Sequence, residues 1–152
     1  MQTHSLMTRD VITVREDTSL NEVARRMSER GISGVPVLDD DGNLSGIITE
    51  LDMIARNARL EVPVFLQVLD ASIPLELPGH LRDKLRHMFG TQARDVMTEK
   101  VQTVAYDTEL EDLVDLMLKK RVNPVPVTED GRLVGIVSRS DLVRMMAAEL
   151  GE

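Results

Sequence analysis

Two short segments carry the residue types that could do chemistry. Gly46-Ile47-Ile48-Thr49-Glu50-Leu51-Asp52 and Gly135-Ile136-Val137-Ser138-Arg139-Ser140-Asp141 each place a carboxylate three residues after a hydroxyl. At a strand-to-helix junction this spacing makes a capping box, in which both side chains serve the helix's first turn. The same helix end, with its free N–H groups and positive dipole, also presents a polar pocket to a ligand. A carboxylate there can accept two hydrogen bonds from a vicinal diol, while the hydroxyl holds a neighbouring ribose or phosphate oxygen. Cap and ligand roles are compatible, and the spacing alone does not choose between them.

Other chemistries find little support. The chain contains no Gly-rich phosphate loop, nucleophile elbow or histidine-based triad, and no residue is assigned as catalytic. His4, His80 and His87 lack metal-ligand spacing, and there is no cysteine for a thiolate site or a disulfide. Asp39-Asp40-Asp41-Gly42 lacks the spaced ligands and closing glutamate of a calcium loop and reads as a hairpin turn. Neither a metal nor a required cofactor is expected.

The elements that must position the two segments occur twice as well. Met7-Thr8-Arg9-Asp10-Val11-Ile12-Thr13-Val14 returns as Met97-Thr98-Glu99-Lys100-Val101-Gln102-Thr103-Val104, and Val35-Pro36-Val37 returns as Val125-Pro126-Val127. One residue is dropped where Asp39-Asp40-Asp41-Gly42 faces Glu129-Asp130-Gly131. Such a slip is most easily tolerated in a turn. In the first copy Val11 to Val14 reads as a strand. Asp17-Thr18-Ser19 caps a helix with Leu20, Val23, Ala24 and Met27 inward, and Gly31 ends it. Val35 to Leu38 and Leu44 to Ile48 are strands, with Pro36 expected at an edge or strand start, and a helix follows from Thr49. In the second copy Val101 to Val104 is the strand. Thr108 opens a helix with Leu110, Leu113, Val114, Met117 and Leu118 inward. Strands at Val125-Pro126-Val127 and Leu133 to Val137 and a closing helix from Ser138 to Leu150 complete it. The order β-α-β-β-α, twice, predicts an α+β fold in which two units too small to be stable alone share one body.

The expected boundaries are residues 1–60 for the first unit, 61–90 for a helical connector and 91–152 for the second unit. The connector holds both phenylalanines, Phe65 and Phe89. It reads either as a segment packed on the module or as a docking surface. A net charge of −8 argues against nucleic acid, which needs a basic surface. No run of apolar residues is long enough to span a membrane, and the first residues lack the features of a signal peptide. A cytoplasmic location is the expectation. The core is aliphatic, since aromatic residues are 2% of the chain, and its methionines serve as fillers.

The repeated order, the Met-Thr openings, the Pro-Val strands and the paired Gly-x-x-Thr/Ser-x-x-Asp ends together resemble a tandem pair of cystathionine β-synthase (CBS) domains, a Bateman module. The resemblance implies two β-α-β-β-α units paired through their sheets with pseudo-two-fold symmetry, often as a homodimer. It also implies clefts for adenosyl compounds such as AMP, ADP, ATP or S-adenosylmethionine. Asp52 and Asp141 then take the ribose-binding position, with Thr49 and Ser138 beside them. Thr13 and Thr103, within the first-strand segments, line the adenine. Ser33, Val35 and Pro36 close one cleft, and Asn123, Val125 and Pro126 close the other. Relatives often carry a basic residue where this chain has Ser33 and Asn123. Arg139 and Arg121 are the nearest cations, which points an anionic ligand to the Asp141 cleft. The implied function is regulatory: sensing an adenosyl ligand and passing its occupancy to a downstream protein partner. The alternative is an interaction module with vestigial clefts that docks a partner through residues 60–90.

Overall fold

The computed structural model describes residues 1–59 and 91–151. The expected connector, with its alternative role in docking, lies outside the described residues. In the first unit, a 3-10 turn (Thr3–Ser5) precedes β1 (Val14–Arg15), α1 (Leu20–Arg30), β2 (Gly34–Leu38), β3 (Leu44–Thr49) and α2 (Glu50–Arg59). In the second, a short α3 (Ala93–Val96) precedes β4 (Val104–Ala105), α4 (Leu110–Lys120), β5 (Val125–Glu129), β6 (Arg132–Val137) and α5 (Arg139–Leu150). Each unit is a three-stranded sheet in chain order, its first pair parallel and its second antiparallel. The fold is the expected α+β pair. Among the described residues no helix is long and apolar enough to cross a membrane.

Local chemistry explains most boundaries. Ser19 Oγ accepts from Glu22 N (3.2 Å) at the start of α1. Gly31 ends that helix at φ 58°, a left-handed conformation that glycine adopts without a Cβ clash. In the second unit the same C-terminal position is Arg121 at φ 53°, where an L side chain costs about 1 kcal/mol. Glu109 precedes α4 without a side-chain cap, so the helix opens at Leu110 rather than Thr108.

Three expectations are corrected. Pro36 and Pro126 sit inside the central strands, not at an edge or start. They are tolerated because β1 and β4 pair only from Val37 and Val127 onward, so the flank beside each proline is open. The first strands are correspondingly shorter than expected, since Val11, Ile12, Val101 and Gln102 turn away to line clefts. Leu118, expected inward, is 72% exposed.

The two units exchange their leading arms. Thr8 pairs with Ile136 through N–H···O bonds of 2.9 and 3.0 Å, and Thr98 pairs with Ile47 through bonds of 2.9 and 3.0 Å. Each arm therefore covers the outer edge of the other unit's sheet, which removes an open edge. Leu110 N donates to Met1 O (2.8 Å) and Leu20 N donates to Thr91 O (2.9 Å), so each arm also satisfies the start of the other unit's helix. Met97 lies over Gly46 and Met7 over Gly135. A Cβ at Gly46 would stand 2.5 Å from Met97 Sδ, which is why both positions are bare. The cores follow the exchange. Ala93, Val96 and Met97 join Val14, Val23, Val35, Val37 and Ile48, whereas Leu6 and Met7 join Val104, Leu113, Val125, Val127 and Val137.

Candidate functional site

Near the pseudo-symmetry axis Gly34 meets Pro124, whose Cδ would lie 2.5 Å from a Cβ at that glycine. Beside it Asn123 Nδ2 donates to Ser33 Oγ (3.4 Å), while Asn123 Oδ1 accepts from Arg139 N (2.8 Å) at the first turn of α5. Two clefts flank this contact and share Ser33, Glu50 and Pro124 as a common wall. The larger, about 700 Å³, falls within the roughly 300–1,000 Å³ usual for small-molecule sites. The smaller is about 470 Å³.

Because the arms are exchanged, each cleft combines the arm of one unit with the helix end of the other. The larger joins Thr98, Lys100, Val101 and Gln102 to Thr49 and Glu50. The smaller joins Thr8, Asp10, Val11 and Ile12 to Ser138, Ser140 and Asp141.

The boxes at the two helix ends are built alike and loaded differently. Asp52 Oδ2 accepts from Thr49 N (2.9 Å) and Thr49 Oγ1 (3.1 Å). Asp141 Oδ2 accepts from Ser138 N (2.7 Å) and Ser138 Oγ (2.9 Å), and its Oδ1 also accepts from Arg144 Nη1 (3.2 Å). Position 55, the counterpart of Arg144, is alanine. Asp141 is buried, and Asp52 half-buried. Both carboxylates cap helices in fact, so the cap role is real whatever else they do.

The CBS domain family profile matches residues 4–58 and 93–148, most of the chain. This chain belongs to the CBS domain family, as a tandem pair. It is 37% identical over 144 residues to an uncharacterised protein of Methanocaldococcus jannaschii, covering 89% of this chain and 85% of that one. A CBS-domain protein of Agrobacterium tumefaciens has a similar structure, with a TM-score of 0.72 at 28% identity over 96% of this chain and 99% of that one. The structure of CBSX2 from Arabidopsis thaliana, solved in complex with AMP, is similar at a TM-score of 0.72 and 25% identity, covering 99% of this chain and 98% of that one.

Within this CBS pair the expected site residues divide. Thr49, Arg121, Asn123, Arg139 and Ser33 line the larger cleft, while Ser138, Asp141 and Ser33 line the smaller. Asp52 is held by Thr49 but does not itself line the larger cleft. Thr13 and Thr103 line neither. The backbone carbonyl of Thr13 is bound by Arg26 (3.0 Å), and Thr103 is exposed. Val35, Pro36, Val125 and Pro126 are also absent from both walls, because their side chains are fully buried in the sheets.

The expectation for the cations is overturned. Arg121 and Arg139 do not serve the Asp141 cleft; they line the Thr49 cleft, together with Lys100. Arg121 at the α4 C-terminus and Arg139 at the start of α5 stand on the same wall as Thr49, whereas Ser138, Ser140 and Asp141 beside Arg139 in the chain face the other cleft. The larger cleft thus faces a ligand with three cations against the single carboxylate of Glu50, beside apolar Leu51, Ile54, Val114 and Leu118. The smaller has Arg30 and Arg144 against Asp10, Glu50 and Asp141. Reading the repeat as two self-contained copies missed Lys100, Asp10, Arg30 and Arg144. The contrast between Asp10 and Lys100 at one repeat position was the signal that could have found them.

Proposed function

We propose that this CBS pair is a regulatory module that senses an adenosyl compound, and that the larger cleft takes an adenine nucleotide. One observation carries the reading: Lys100, Arg121 and Arg139 converge on a cleft that also offers Thr49 and an apolar wall. The apolar wall suits an adenine ring, Thr49 suits a ribose hydroxyl, and the cations suit a phosphate. A phosphate held near two or three cations gains from charge-assisted hydrogen bonds of about 1.5–3 kcal/mol each, less where the arginines stay hydrated. AMP in the related CBSX2 structure supports this ligand class.

Titration calorimetry with AMP, ADP, ATP and S-adenosylmethionine tests the reading. Binding of a phosphate-bearing ligand that weakens with added salt is the expected result. No heat with any of the four, and no rise in melting temperature, would sink it and leave the interaction-module alternative.

We also propose self-association through the outer faces of α2 and α5. Ile54 and Val143 occupy equivalent positions there and are both exposed, and Met146 and Leu150 extend the stripe along α5. Apolar stripes of this kind mark interaction faces more often than isolated apolar residues do. Sedimentation should show a dimer that Val143→Glu with Met146→Glu converts to monomer; an unchanged sedimentation coefficient would remove this face. The downstream partner is then a protein that reads the ligand-dependent pose of the pair.

A further inference from the structure

We infer that Met97, seated over Gly46, is a positioning residue for the larger cleft, and that a nucleotide bound there in turn clamps the arm that carries it. This rests on the nucleotide reading of the larger cleft above and names what regulates that site. Three polar residues of the wall, Thr98, Lys100 and Gln102, belong to the arm that precedes β4. The span from Glu99 to Thr103 hangs between two anchors. At one end Thr98 exchanges two bonds with Ile47 of the first unit (2.9 and 3.0 Å), and at the other Val104 pairs with Val127 of the second. Where Lys100 and Gln102 stand is therefore set by how the arm seats on the first unit.

The seat is fitted to one side chain. A Cβ at Gly46 would stand 2.5 Å from Met97 Sδ, 2.8 Å from its Cγ and 3.0 Å from its Cβ. Turning the end of the side chain relieves only the first of these contacts, so a methyl group at position 46 presses on the arm itself. Gly46 and Met97 line neither cleft. Their effect on a ligand passes through Lys100, three residues along the arm, whose ammonium must meet the same phosphate as Arg121 and Arg139 of the second unit. A phosphate so held bridges the arm to the second unit. By linkage, whatever the seat does for the ligand, the ligand does for the seat. Met7 over Gly135 repeats the geometry for the other arm, whose Thr8 and Asp10 line the smaller cleft. Each seat is therefore a control for the other.

The experiment is AMP calorimetry on the native chain and on matched variants. Gly46→Ala should weaken AMP roughly tenfold, within the range by which residues outside a site modulate it. Gly135→Ala, the same intrusion on the other arm, should lower the melting temperature by a similar amount and leave AMP affinity unchanged. Met97→Ala in the Gly46→Ala background makes room for the added methyl group and should recover most of the lost affinity. Hydrogen exchange gives the reciprocal reading and needs no variant: AMP should slow the amides of Ile47 and Thr98 more than those of Thr8 and Ile136. Equal losses of affinity from both glycine variants, native affinity in Gly46→Ala, no recovery in the double variant, or uniform slowing of exchange would each overturn the inference and leave the larger-cleft reading in place. Absence of AMP binding to the native chain overturns both.

Discussion

The two units share a fold down to the register of their strands, yet their clefts differ at several charged positions. Val37 pairs with Gly46 and Val127 with Gly135, and both central strands shift register at the next residue. The bare glycines under Met7 and Met97 are likewise matched. Packing has therefore held the two halves together where atoms touch, and solvent-facing positions around the clefts have been free to diverge. The charges cluster there: Asp10 against Lys100, Glu50 against Arg139, and Ala55 against Arg144.

The comparison can be broken at several levels of energy. The largest effect belongs to the shared packing. Leu113 is fully buried in the second core, and Leu113→Ala should cost about 3 kcal/mol. Since each core contains residues from the other unit's arm, denaturant unfolding should remain a single transition. Two separated transitions would mean the units are energetically independent. Next comes the charge contrast. Arg139→Ala should weaken AMP about tenfold by calorimetry, in line with the loss of one charge-assisted contact in a solvated cleft. Equal weakening by Ser140→Ala would show that the wrong cleft had been chosen.

Arg121 sharpens the comparison further, because its conformation and its position pull in opposite directions. Arg121→Gly restores the residue type found at Gly31, so the protein should gain about 1 kcal/mol by relief of the left-handed strain. The same change should lower AMP affinity severalfold. A gain in stability with no change in affinity would remove Arg121 from the site. Smaller again is the cap at Ser19: Ser19→Ala should cost about 1 kcal/mol in thermal unfolding. Its counterpart Glu109 accepts no cap bond, so Glu109→Ala should cost less.

The smallest effect is one of pH. Glu22 is bound by Arg25 and Arg26, whose hydrogen bonds hold its carboxyl below the usual carboxylate range. A lowered pKa stabilises the fold above the unfolded value, and that contribution is lost as pH falls through the folded value. Glu22→Gln should flatten this acid limb slightly. Position 25 has its counterpart in Asp115, so this fork does not recur in the second unit.

Much of this was legible in the sequence, and the failures have a common cause. The repeat, the helix stripes, Ser19, Gly31 and both capping boxes follow from local chemistry, which short segments specify on their own. The cleft walls do not, because they depend on which arm crosses to which unit. Arg121 and Arg139 looked close to Asp141 along the chain but line the other cleft. Val35 and Pro126 looked like cleft residues from their neighbours and are sheet core. Leu118 fits an inward helical stripe by spacing, but it borders a cavity where that stripe would have met protein.

The exchanged arms also set a timetable for the chain as it is made. Thr3, fully buried, donates from its N and its Oγ1 to the carbonyl of Thr108, each at 2.8 Å, across a separation of 105 residues. The arm around Thr3 therefore has nowhere to dock until Thr108 has been synthesised, and the first core stays open until Ala93 and Met97 arrive. Contacts this distant in sequence slow folding, because a long loop must close before they are rewarded. The first unit can close only once the chain has reached Thr98: a nascent chain halted after its first sixty or so residues exposes an unpaired sheet edge at Ile47, ready to accept the arm of another copy.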